Sequence, residues 1–223
     1  MNKTGFYLVY FLSPIVPIAF YFATLGWPIN LYGLSVALGV AAFVFLSGQF
    51  MLASRPAWAI KALGMKKLTR FHSTMPIVIV GIAVAHRISK QIAGLDTEST
   101  QADFGAAVLV LLSAVIVFTV LLMAATFWQK LGFLKKFRAW VYGRTGLDYK
   151  KSRVLHNLTL LIAPLLLIHV LLASSSDFAA NPIGFFVMIA WMLVSLGSYL
   201  RYRMKGRSTG AGKAPIGSVD AKK

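Results

Sequence analysis

A chain of 223 residues that is 58% hydrophobic, with a positive mean hydropathy, is too apolar for an ordinary soluble domain. Its net charge of +17 would raise nucleic acid as a partner in a soluble protein. Here the basic residues fall between apolar stretches, read as topology determinants and anionic-lipid contacts, and call for no nucleic acid; the absence of cysteine excludes disulfides, iron–sulfur clusters and thiolate chemistry.

Six apolar stretches are long enough to cross a bilayer core of about 30 Å. They cover roughly residues 5–24, 30–53, 71–89, 105–127, 154–173 and 182–200. The expectation is an all-α integral membrane protein, a six-transmembrane-helix bundle over residues 1–203 with both termini on one side. The first stretch has a lysine before its apolar run, as a signal peptide does. Pro14 and Pro17 interrupt it, and no small-residue cleavage site precedes Gly26-Trp27-Pro28, so it is expected to stay as a kinked helix. Residues 54–69 alternate apolar and basic groups, and residues 128–152 include Phe137-Arg138-Ala139-Trp140-Val141-Tyr142-Gly143-Arg144. Both segments have the pattern of helices lying in the membrane interface, with a docking face for a soluble electron donor as the alternative. The loop of about residues 90–104 leaves no room for a substrate domain, and the basic tail 204–223, rich in Gly and Ser, is expected to be disordered. No glycine-rich nucleotide fingerprint occurs, because the glycines lie in apolar helices, loops or the tail rather than at a strand-to-helix turn.

Charge sets the orientation. Of the 23 Lys and Arg, 21 lie before the first stretch, after the second, between the fourth and fifth, or after the sixth. Only Arg87 and Lys90 fall on the opposite side, where Asp96, Glu98, Asp103 and Asp177 also fall. The positive-inside rule then puts both termini in the cytoplasm. Compact size and the lack of organellar targeting features point to a bacterial inner membrane.

All four histidines sit on two of these stretches: His72 and His86 on the third, His156 and His169 on the fifth. An ionisable side chain inside a bilayer is costly and marks function. The pairs are 14 and 13 residues apart, which is about 20 Å along a helix, and both stretches run outward. His72 and His156 therefore share an inner level, and His86 and His169 an outer one. Two imidazoles can fill both axial positions of a haem, an arrangement suited to electron transfer, whereas the ligands of a zinc ion would converge on one point. Fourteen residues fall about 40° short of four turns, so His72 and His86 share a face; thirteen leave His156 and His169 roughly 140° apart. Pro164, between the latter two, is the expected place for a kink or rewinding that changes this phase. A haem-free transporter or channel whose histidines pass protons or metal is the alternative from another class, and it calls for acidic partners inside the membrane, of which the six stretches contain none. A structural anchor that recruits a cytoplasmic enzyme is a third reading, which leaves the histidine spacing unexplained.

Third-span and fifth-span histidines at these intervals, in a six-span chain with both ends inside, resemble the ferric reductase-like transmembrane domain of ferric reductases and NADPH oxidases. The run Val154-Leu155-His156-Asn157-Leu158 also resembles the Leu-His-Asn run of the haem-binding membrane subunit of the bacterial methionine sulfoxide reductase system. The resemblance covers about residues 5–203. It implies two b-type haems, the inner on His72 and His156 and the outer on His86 and His169, with these histidines as axial ligands to iron. The FAD- and NADPH-binding module that follows the sixth span in the larger relatives has no counterpart here. Electrons are then expected from a separate cytoplasmic reductase subunit or a quinol, with any flavin or quinone brought by a partner. The outer-side acceptor would be ferric iron, a flavin, oxygen or a periplasmic reductase. Several relatives place an aromatic side chain between the haems on the fifth span, but Asn157 to Ile168 contains none, so a bridging group would come from another helix. Arg87 is placed for the outer haem propionates, and Arg70 and Arg153 for the inner ones, or all three mark the membrane boundary. Ser73, Thr74 and Asn157 either orient imidazole N–H groups or pack against neighbouring helices. Trp128, Trp140, Tyr142 and Tyr202 read as interface-belt residues.

Overall fold

A computed structural model describes residues 1–95, 98–123 and 131–205. Among them the chain forms ten α-helices and no strand, with six helical stretches long and apolar enough to cross a membrane, the character of a multi-pass membrane protein. The first crossing is α1 (Lys3–Leu12) followed by α2 (Ile15–Leu25). The break between them follows from Pro14, which has no N–H to give to the Tyr10 carbonyl; the Ser13 hydroxyl donates to that carbonyl instead, at 2.7 Å. Pro17 sits in the first turn of α2, where a missing N–H costs nothing. The second crossing is α3 (Leu31–Ala53), and the short α4 (Ala57–Leu63) leads through Gly64 into α5 (Met65–Ile92). Next come α6 (Thr100–Leu122) and α7 (Gly132–Thr145), then α8 (Tyr149–His156) with α9 (Thr159–Leu171) as the fifth crossing, and α10 (Pro182–Met204). Asn2, Asn30, Ser99, Asp148 and Asn181 start helices by accepting from the backbone N–H three residues on, at 2.7–3.4 Å.

The crossings close into a ring: α5 packs on α3, α3 on α10, α10 on α9, α9 on α6, and α6 on α5. The histidines sit on α5 and on the α8–α9 crossing, and these make little direct contact with each other across the interior. The most enclosed helix is α3, with 61% of its apolar window buried against 11–22% for the other crossings. The reason is that α1 and α2 cover the side that α5 and α10 leave open; Tyr10 of α1 donates to the Phe45 carbonyl at 3.3 Å and stacks on the Phe45 ring. Exposed Val110, Leu161 and Val194 project from the outside of the ring, as lipid-facing side chains do.

Several boundaries differ from those expected. The third crossing begins at Met65 rather than near residue 71, because nothing between Gly64 and Arg70 interrupts the helix. The fourth begins at Thr100, which puts Asp103 in its first turn, where the helix dipole favours an acid. Expected interfacial structure over 54–69 reduces to α4, and its Ala59 and Leu63 are buried, so it packs into the protein as well as lying at its edge. In the fifth crossing the interruption falls at Asn157–Leu158, just after His156, while Pro164 is accommodated inside α9. Around it the backbone bonds are of the tighter three-residue kind: Asn157 to Val154, Leu158 to Leu155, Leu160 to Asn157 and Leu161 to Leu158. Such residues turn by about 120° instead of 100°, so four of them move His169 from about 140° out of phase with His156 to about 60°. Residues 206–223 of the expected tail and Trp128 lie outside the described residues.

Candidate functional site

The histidines meet in two layers. His72 of α5 and His156 of α8 have ring centroids 6.5 Å apart with planes at 87°; His86 of α5 and His169 of α9 are 6.4 Å apart at 77°. Two imidazoles bound on opposite sides of one metal, at about 2.0–2.1 Å per bond and with ring centres roughly 1.15 Å further out, have centroids about 6.3–6.5 Å apart. Each layer thus matches the spacing of an axial pair. No group of three or more His, Cys, Asp or Glu converges anywhere among the described residues, so a metal at either layer would take its remaining ligands from a non-protein group.

For three of the four rings, hydrogen bonds decide which nitrogen is left to bind. His86 Nδ1–H donates to the Ser35 carbonyl and His169 Nδ1–H to the Gln101 carbonyl, each at 2.7 Å. A carbonyl can only accept, so both rings are held in the tautomer whose Nε2 carries a lone pair. In the inner layer, the Thr119 hydroxyl gives its proton to the Val115 carbonyl at 2.7 Å, which leaves its oxygen to accept from His156 Nδ1 at 3.1 Å. His156 is therefore fixed in the same tautomer. His72 Nδ1 is buried with no hydrogen-bond partner among the described residues.

Space is built around the outer layer. A cavity of about 660 Å³ takes in His86 and His169 and is walled largely by apolar side chains, including Val40, Phe43, Ile79 and Leu112. Its size is that of a site for a sizeable small molecule. Arg87, Lys90, Ser99 and the 3₁₀ turn Ser174–Ser176 form its polar part, and the turn is tied to α2 by the 2.6 Å bond between Tyr21 Oη and Ser176 Oγ. The inner pair is not among the residues lining this cavity. Two glycines lie against the outer rings: a Cβ on Gly39 of α3 would come within 2.9 Å of His86 Cε1, and one on Gly105 of α6 within 2.5 Å of His169 Cε1.

Of the expected cation positions, Arg87 lines the outer cavity, whereas Arg70 and Arg153 are exposed near the inner layer. Ser73 and Thr74 donate to the Arg70 carbonyl of their own helix rather than to an imidazole. The imidazole partners are Ser35, Gln101 and Thr119, and the ring seats are Gly39 and Gly105; sequence reasoning singled out none of them. Their one signal was spacing: Ser35 with Gly39, and Gln101 with Gly105, each stand one helical turn apart in an apolar span. Phe43, buried in the cavity wall, lies one turn inward from Gly39 and is an aromatic supplied by a helix other than the fifth span. Compared with family models, curated proteins and solved structures, the chain gives no match.

Proposed function

We propose that this chain is a di-haem transmembrane electron conduit of the ferric reductase-like kind. It carries electrons from a cytoplasmic reductase subunit or a quinol to an outer-side acceptor across a bacterial inner membrane, with both termini in the cytoplasm. The observation that carries this reading is the pair of imidazole layers, each with the centroid spacing of two axial ligands on one metal. Three of the four rings have Nδ1 engaged, which presents Nε2 to a ligand. Between α5 and α9, which make little direct contact, the cavity at the outer layer has room for a planar group.

When bound, a b-type haem would supply one-electron chemistry. The chain's own residues hold and shield it. His72 with His156, and His86 with His169, would hold the two haems through their imidazoles. Arg87 would meet acidic propionates at the polar side of the outer cavity, and Arg70 and Arg153 would do so at the inner end. Apolar side chains such as Ile79 and Leu112 would pack against the outer haem.

The test is a pyridine haemochrome assay on the purified protein, with haem per chain measured for the four single His→Ala variants. Two b-type haems are expected, with each substitution removing one. Absence of haem after expression with ample haem supply would overturn the reading and favour a histidine-based transporter.

A further inference from the structure

We infer that Gly39 and Gly105 are positioning residues for the outer imidazoles, each uncovering a helix carbonyl that anchors a ring and strengthens its electron donation. In an α-helix the carbonyl of residue i bonds the N–H of residue i+4 and keeps a second lone pair. A side chain at i+4 normally shields that lone pair from a neighbouring helix. At both outer seats the residue at i+4 is glycine: the Ser35 carbonyl stands beneath Gly39, and the Gln101 carbonyl beneath Gly105. Each carbonyl receives an imidazole Nδ1–H at 2.7 Å as its second donor, and each ring lies where the missing Cβ would be. The same device thus occurs twice, on two different helices, for the two rings of one layer. A ring pinned this way cannot retreat from an added methyl without giving up its bond to the carbonyl.

The inner layer lacks the device. His156 reaches a hydroxyl at 3.1 Å, and His72 Nδ1 has no partner among the described residues. An Nδ1–H bond to a carbonyl pushes electron density toward Nε2 and favours the oxidised state of a metal bound there. The outer pair is therefore built to donate more strongly than the inner pair, and the two glycines make this so. The inference rests on the di-haem reading and adds to it what sets the outer centre apart.

The experiment compares haem-loaded wild type with Gly39→Ala, Gly105→Ala and Gly81→Ala. Gly81 serves as a control because it lies within α5 and a Cβ there meets nothing within 4 Å. Haem per chain, midpoint potentials and the low-spin ferric EPR signals are measured, with His86→Ala identifying the inner centre by elimination. Gly39→Ala and Gly105→Ala should raise the outer midpoint and shift its EPR signal, or weaken outer haem binding about 10–100-fold. Gly105→Ala should have the larger effect, and the inner centre and Gly81→Ala should stay as wild type. Unchanged outer midpoint and EPR signal, or equal loss of both haems, would overturn the inference while leaving the conduit intact. A wild type without haem would instead remove the reading beneath it.

Discussion

Thr119 shows how one hydroxyl can fix a ring. Its proton is committed to the Val115 carbonyl, so toward His156 it acts as an acceptor. Replacing it with valine keeps the shape and removes the acceptor, leaving His156 Nδ1–H without the bond that selects its tautomer. Thr119→Val should weaken haem binding at the inner layer by about 10–100-fold and spare the outer layer, while Thr119→Ser restores it. Titration of haem into the haem-free protein measures this, and equal affinity in Thr119→Val would show that the contact does not matter. The histidines were legible in the sequence because they are few and paired in spacing. Their partners were not, because two of the three are backbone carbonyls, which every residue has. Which carbonyl a ring meets depends on where another helix lies.

At the scale of the helix, the fifth crossing carries the clearest departure from a periodic reading. Pro164 is the position where the pattern predicts a change of phase, yet it remains within α9, and the tightened turns lie at Asn157–Leu158. Those turns bring His169 toward the same side as His156, which an uninterrupted helix would not. Inserting one alanine between Leu158 and Thr159 should swing His169 by about 100° and move it about 1.5 Å along the axis. On the proposed di-haem reading, the expected outcome is loss of one haem in a haemochrome assay, with His156 still paired to His72. Two haems in the insertion variant would sink this account of the phase. By contrast, the break in the first crossing was readable beforehand, since Pro14 removes a specific hydrogen bond wherever the helix sits.

For the whole molecule, orientation is the property that charge dictates. With no native cysteine, single cysteines can report it without background. Gln91→Cys lies exposed near the outer layer and Lys150→Cys exposed near the inner one. In intact spheroplasts an impermeant maleimide should label the first at once and the second only after the membrane is opened; the reverse pattern would invert the topology. The sequence by itself determined the six crossings, the sidedness of the charge and the two histidine-bearing spans, because length, hydropathy and charge act locally and do not need a fold to be counted. Only the tertiary structure decided that α5 and α9 stand apart across a ring of helices, that Gly39 and Gly105 seat the outer rings, and that the cavity includes the outer layer. These depend on which helix packs against which, and in spans that are apolar all round, the sequence pattern does not say which face turns inward.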